Sequence, residues 1–386
     1  MSKKLSTLGV GTTFEVPVKS AYRSFLGDYV VFKMADKNHS GYPSGAITLI
    51  TDKIIALLCS DAKEPNNSDS NRRSYGNNRH IHSNILQWLN SNAAAGKWYS
   101  AKHGQDAPPS SANVWDNVNP YDTWAGFLAM LDDDFVAALM TTTLTVAKNT
   151  VTDGGSYETF TAKMFLASTT EVGLANENGI AEGSKLALFS DNTSRLAYCT
   201  QVAIDKSNYG SDPTTSQAWY WWLRTPYSGS SCHVRNVSTS GALNGNYACS
   251  GGGGVRPLCN LKSDILVSYD EGEVNERKPS FGEMIGKALA EGLNKAIFGE
   301  GEEPKGILAE AEAQAARKKE QEDEDQKRAD AVDMMKHIAA AFDIPATIGE
   351  GKQEEQEKEA KQLFGWYSEL KKAGFTDAQA FELIKG

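Results

Sequence analysis

The apolar positions of this chain fall into three regimes. Over residues 8–60 they form short runs of β-branched and aromatic residues between Gly and Pro breaks, which predicts strands over Thr12–Val18, Asp28–Met34 and Ala46–Cys59. A polar stretch, 61–79, reads as a loop. Ser83 then stands where it would cap a helix whose apolar face is Ile85, Leu86, Trp88 and Leu89. Trp115–Leu131 is aromatic and irregular, with a short helix expected from Tyr121. Asp132, Asp133 and Asp134 precede F-V-A-A-L-M, a run of acids at a helix start. Further strands are expected at Thr141–Ala147, Lys163–Ala167, Lys185–Phe189 and around Tyr198–Ile204, and the last ones in Trp219–Leu261. Strands with a few short helices among them, rather than alternating βα units, predict an α+β domain over residues 1–268.

The third regime begins near residue 280. Phe281, Ile285, Leu289, Leu293 and Ile297 recur every four residues, a helical stripe that needs a partner and predicts self-association, taken as a trimer. This amphipathic helix belongs to a linker, 269–306. A charged helix, 307–348, follows, with an apolar face restored at Val332, Met335, Ile338, Ala339 and Phe342. Residues 349–386 read as a small helical hairpin, with Gly374 at a helix stop and Thr376-Asp377-Ala378-Gln379 in capping-box order.

Charge sharpens that division. From Pro279 onward, 15 Lys and Arg face 23 Asp and Glu, whereas the preceding residues hold 24 against 26. No part is basic enough to expect a nucleic-acid partner. Five cysteines without C-x-x-C spacing predict neither a zinc site nor a disulfide framework. No window has the roughly 18 apolar residues of a spanning helix, so no membrane insertion is expected. The N-terminus lacks the apolar core of a signal peptide, which predicts synthesis in the cytoplasm and exit by lysis or on a particle.

The most distinctive stretch is Trp219–Leu261. It opens with three tryptophans in four residues and closes on Gly254-Val255-Arg256-Pro257. Strand alternation puts Trp219 and Trp221 on one face and Trp222 on the other, so Trp221 and Trp222 are expected as core anchors. Arg224 and Arg256 are expected to bind carboxylates or backbone carbonyls. Between these ends lie Ser, Gly, Asn and Tyr, the composition of antibody-like contact surfaces. The contact candidates are Tyr227, Ser230, His233, Arg235, Asn236, Asn244, Asn246 and Tyr247. The competing reading is an ordinary hairpin with turns at Ser240-Gly241 and Asn244-Gly245.

Other chemistry is weaker. Glu64-Pro65-Asn66 spells the triplet of sugar-binding calcium lectins, but lies too early in the chain and reads as polar loop. His80 and His82 have no third ligand at a defined spacing and are expected at the exposed start of a helix. Gly251–Gly254 lacks the Lys-Ser/Thr of a phosphate loop, so a close approach of backbones is expected there. Cys232 and His233 are adjacent and would point to opposite faces of a strand. With no nucleophile–base arrangement or positioned acid pair, no enzyme activity, metal or cofactor is expected.

W-W-L-R-T-P at Trp221–Pro226, V-S-T-S-G at Val237–Gly241 and G-V-R-P-L at Gly254–Leu258 resemble a domain family common in structural proteins of phages that infect Gram-positive bacteria. L-G-V-G-T-T-F-E-V (8–16), I-H-S-N-I-L-Q-W-L-N (81–90) and K-M-F-L-A-S-T-T-E-V-G (163–173) extend the likeness across roughly residues 5–262. The resemblance implies a C-type-lectin-like fold, similar to the variable proteins targeted by diversity-generating retroelements. It also implies a framework of Trp221, Trp222, Arg224, Arg256 and Pro257, with the residues between as an exchangeable face. The expected protein is then a virion component recognising a bacterial surface protein or glycan from a tail tip or head fibre, in contact with other virion proteins. The competing expectation is a non-binding capsid or tail decoration protein anchored by its helical tail.

Overall fold

The computed structural model describes residues 2–210 and 212–268. The expected tail helices at 269–306, 307–348 and 349–386, and the 281–297 stripe with its trimer, lie outside the described residues.

Strands β1 (Ser2–Lys4), β2 (Thr13–Pro17), β3 (Tyr29–Lys37), β4 (Ala46–Thr51) and β5 (Ala56–Leu57) come first, with helix α1 (Arg23–Leu26) between β2 and β3. Helices α2 (Ser70–Tyr75), α3 (Asn84–Leu89), α4 (Phe127–Met130) and α5 (Asp133–Ala138) cross the middle. Strands β6 (Leu139–Met140), β7 (Thr142–Ala147), β8 (Tyr157–Ala162) and β9 (Met164–Phe165) follow, then helices α6 (Asn192–Arg195) and α7 (Gln201–Asp205). The chain returns to strand in β10 (Trp221–Pro226), β11 (His233–Val237), β12 (Leu243–Tyr247), β13 (Gly254–Val255), β14 (Leu258–Lys262) and β15 (Leu266–Ser268). The fold is mixed α+β, dominated by sheet.

One sheet has the order β2-β3-β4-β14-β6, with β9 also paired to β14; a second has the order β12-β11-β10-β13-β5. The pairs β7–β8 and β1–β15 stand apart from them. Because β14 pairs with β4 through Leu258↔Ile50 to Lys262↔Ala46, the end of the Trp-to-Arg block is stitched to a strand some two hundred residues earlier.

Alternation along β10 divides the core. Trp222 belongs to one buried cluster with Phe32, Trp88, Tyr121, Phe127 and Val255. Trp221 belongs to a second with Ile54, Phe165, Phe189, Leu223 and Val237. Both rings are fully buried, and each indole N–H finds a carbonyl: Trp222 that of Leu58 at 2.8 Å, Trp221 that of Arg195 at 3.0 Å. A Trp→Ala change at such a site costs about 3–5 kcal/mol.

The expected caps are present. The Ser83 hydroxyl accepts the Leu86 N–H at 3.4 Å, and the Asp132 carboxylate accepts that of Phe135 at 3.0 Å. Several local readings need correction. Lys185–Phe189 forms no strand: Leu186 and Leu188 donate single backbone bonds to Glu171 and Ala35, and its apolar character reflects burial of Leu186 and Phe189. Tyr198–Ile204 turns helical at α7, because Thr200 caps it by accepting the Ala203 N–H at 3.1 Å. The 61–79 loop contains α2, capped by Asp69, and the short helix expected from Tyr121 begins at Phe127 instead. His80 is buried in a 3-10 turn rather than exposed at a helix start.

Candidate functional site

The hairpin β11–β12 is in regular antiparallel register, His233↔Tyr247, Arg235↔Gly245 and Val237↔Leu243. Strand alternation therefore places His233, Arg235, Gly245 and Tyr247 on one face, and Val234, Asn236, Asn244 and Asn246 on the other. Val234 on the second face packs into the Trp222 cluster, while Val237 and Leu243, at the turn end of the first face, pack into the Trp221 cluster, so only the His233–Tyr247 end of the first face is left partly open. The first carries a run of aromatic rings.

Tyr247 stacks on Tyr75 with centroids 4.1 Å apart and planes 13° off parallel. Trp115 lies nearly parallel to both, 5.6 Å from Tyr75 and 5.8 Å from Tyr247. On the other side His233 sits 4.4 Å from Tyr247 and 6.2 Å from Tyr227. Cations border the run: Lys63 Nζ lies 5.5 Å from the Trp115 ring, and the Arg235 guanidinium 4.0 Å from that of Tyr227. Trp115 and Tyr227 are the most exposed members, at 38% and 37%.

Each member is held from behind. Tyr75 ends α2, and Gly76 follows at φ +83°, where a Cβ would stand 2.6 Å from the Asp61 carbonyl; only glycine fits that turn. Arg72 ties α2 down through Asp153 at 2.6 Å and the Ser231 carbonyl at 3.3 Å. The buried Asn78 amide donates to the carbonyls of Tyr227 (3.3 Å), Ser230 (2.6 Å) and His233 (2.9 Å), clamping the loop into β11. Asn149 donates to the Asn78 side-chain oxygen at 2.9 Å, which fixes the amide's orientation. Arg235 is paired with Glu177, which also accepts the Ser228 N–H at 2.8 Å.

His233 is bonded through Nδ1 to the Ser230 hydroxyl at 2.9 Å. Burial, and then the charge of Arg235, lowers its pKa, so it presents an uncharged ring at neutral pH. Cys232 does not point away from it as strand alternation suggested: Cys232 precedes the first residue of β11, and its Sγ lies 3.7 Å from Nδ1. Burial raises the thiol's pKa, the reverse of an activated nucleophile.

The structure thus brings Tyr227, Ser230, His233, Arg235 and Tyr247 together. Of the other three candidates it buries Asn236 and leaves Asn246 half-buried and Asn244 exposed. Asn236 is buried and paired across from Trp222, Asn246 donates to the Tyr220 hydroxyl at 3.4 Å, and Asn244, though exposed, shares their face. Tyr75, Trp115 and Asn78 were not among the candidates. Trp115 is only a ring in an irregular stretch, and nothing local ties it to a hairpin more than a hundred residues later.

The frame residues behave as expected. Arg224 is 1% exposed and uses all five N–H groups: two on the Glu171 carboxylate (2.6 and 2.7 Å), and one each on the carbonyls of Leu166, Glu182 and Thr145. Arg256 donates to the carbonyls of Thr51 (2.8 Å) and Asp52 (3.2 Å), and its guanidinium lies 5.1 Å from the Trp221 ring. Burial pulls its pKa down to about 10, still a cation at neutral pH. The Pro257 carbonyl accepts the Thr51 N–H at 3.0 Å.

The glycine run is a close approach of chains. A Cβ on Gly251 would meet the Val118 carbonyl oxygen at 1.9 Å, and one on Gly253 the Trp222 indole nitrogen at 1.9 Å. Glu64 of the calcium-lectin triplet is fully buried; it accepts the Asn77 amide at 3.0 Å and lies 2.8 Å from His103 Nε2. Among the described residues no group of three or more His, Cys, Asp and Glu side chains is placed to hold a metal ion. No helix among them is long and apolar enough to cross a membrane.

The sequence pattern of the family described as Domain of unknown function (DUF6273) matches residues 45–263, more than half of the chain. The chain belongs to the DUF6273 family. The DUF6273 region begins at the turn into β4 and ends just past β14, so it contains the hairpin, the aromatic run and the whole frame. No curated protein and no solved structure matches the chain.

Proposed function

We propose that this DUF6273 protein is a non-enzymatic component of a phage virion, in which a C-type-lectin-like domain displays the outer face of β11–β12 to a bacterial surface. One observation carries the reading: five rings from separate parts of the chain, Trp115, Tyr75, Tyr247, His233 and Tyr227, form a continuous, partly exposed run on a hairpin held by Asn78 and by the Arg235–Glu177 pair. Tyrosines and tryptophans give contact area with few rotatable bonds, and a surface fixed before binding loses little further entropy. The small residues in the turn between β11 and β12, Thr239 and Ser240, are exposed, so they accept exchange without disturbing the two cores. The bordering Lys63 suits a ligand with electron-rich groups, such as a surface glycan.

Two measurements test this. Mass spectrometry of purified virions of the encoding phage should find the chain as a stoichiometric component, and its absence would end the virion reading. Virions carrying Tyr227→Ala with Tyr247→Ala should adsorb to host cells at least tenfold more slowly than the parent. Unchanged adsorption would remove the hairpin from recognition.

A further inference from the structure

A second concavity lies apart from the hairpin's aromatic face. It is a cleft of about 280 Å³, walled by the β3–β4 turn at Ser40–Tyr42, by Thr143 and Thr145 of β7, and by the segment Ala181–Ser184. Its floor is the Glu171–Arg224 pair. The cleft is preformed, because each wall is bonded to the floor or to another wall. Tyr42 donates its hydroxyl to Glu171 at 2.6 Å. Arg224 donates to the Thr145 carbonyl at 3.2 Å and to that of Glu182 at 2.7 Å. His39, buried behind the turn, is 2.7 Å from the Ser184 carbonyl. Gly183, at φ +101°, has no Cβ that would strike the Glu171 carboxylate; one there would stand 2.7 Å from Oε1.

The chemistry of the lining selects the ligand. Arg224 has no spare N–H, and Glu171 accepts Arg224, Tyr42 and the Ser168 N–H. The two charges cancel at contact distance, and an ionic ligand would have to break bonds already made in a buried setting. Beside Leu144 and Ala181, the lining side chains outside the floor are hydroxylic: Ser40, Thr143, Thr145 and Ser184, the last also 3.1 Å from His39 Nε2. Hydroxyls both donate and accept, which matches a polyol and gives no particular grip on an anion. A volume just under the ~300–1,000 Å³ of typical small-molecule sites fits one ring rather than a chain of them.

We propose that this cleft binds a single neutral sugar ring, held by the hydroxyls of β7 and of the Ser184 segment above the closed Glu171–Arg224 floor. The site shares no residue with the aromatic run and does not depend on it.

The test is saturation-transfer NMR on the full chain with D-glucose, D-galactose and N-acetylglucosamine at millimolar concentration. At least one should receive saturation. Thr143→Trp and Thr145→Phe, each filling the cleft from β7, should weaken that binding at least tenfold, and Tyr247→Ala should leave it unchanged. Thr143 is exposed, so its variant keeps the fold, as circular dichroism would verify, and keeps the test decisive if the Thr145 variant misfolds. Absence of transfer to all three sugars overturns the proposal. So does retention of binding in the folded Thr143→Trp protein, or loss of it through Tyr247→Ala alone, which would place the sugar on the hairpin.

Discussion

Replacing Arg224 with Met is the sharpest perturbation of the frame. Met keeps much of the side-chain volume but removes five donors at once. Glu171, wholly buried, would keep a carboxylate whose remaining donors are Tyr42 and the Ser168 N–H. The carbonyls of Thr145, Leu166 and Glu182 would lose the N–H groups they now accept. Removing one partner of a buried ion pair costs about 3–5 kcal/mol, against a total stability of about 5–15 kcal/mol for a typical domain. For a domain of this size about 1 kcal/mol moves Tm by roughly 2–4 °C, so a fall of roughly 6–20 °C is expected in a thermal melt followed by circular dichroism. The double variant Arg224→Met with Glu171→Leu removes both charges, and its loss should be smaller than the sum of the single losses by about 0.5–3 kcal/mol. A single-variant loss under about 1 kcal/mol, or strict additivity, would show that Arg224 does not hold the fold as argued.

Three further predictions concern other parts of the structure. Gly253→Ala forces a methyl group into the Trp222 indole and should cost at least about 1–3 kcal/mol, as overpacking does; a neutral result in urea denaturation would contradict the close approach. Burial, reinforced by Arg224, pushes His80's pKa down to about 3. The folded state therefore keeps this ring neutral, while the unfolded chain takes up a proton below about 6.5. The stability involved is whole above pH 6.5 and is lost as pH falls toward 3, so His80→Phe should flatten that part of the pH–stability curve, and an unchanged slope would refute it. Finally, all five cysteines are buried, and burial raises every thiol's pKa. Labelling by a thiol reagent at pH 7 should wait on unfolding, and rapid modification of any one in the native protein would contradict its placement.

What the sequence revealed and what it hid divide along sequence distance. The caps at Ser83 and Asp132 were legible because a cap is a relation between residues two or three apart. The opposed burial of Trp221 and Trp222 followed from strand alternation alone. The identity of Arg224's partner was not legible: Glu171 lies 53 residues earlier in an irregular loop, and only the fold aligns its carboxylate with the guanidinium. Composition suggests a contact role for Asn236, whereas the register pairs it with Trp222 and buries it. The β-branched Val202 and Ile204 favour strand where α7 forms, and the cap at Thr200 outweighs that preference. The aromatic run was half visible. Tyr227, His233 and Tyr247 lie in one block, whereas Tyr75 and Trp115 reach it only through helix α2 and the turn before α4.

The central claim is that the outer face of β11–β12 recognises a bacterial surface, and the most direct test is equilibrium binding of the fluorescently labelled full chain to intact host cells. The account predicts saturable binding by the parent protein. Tyr227→Ala with Tyr247→Ala, shown to be folded by circular dichroism, should bind at least tenfold more weakly, a loss of about 1.4 kcal/mol or more. Equal binding by the two proteins, or none by the parent, would contradict it.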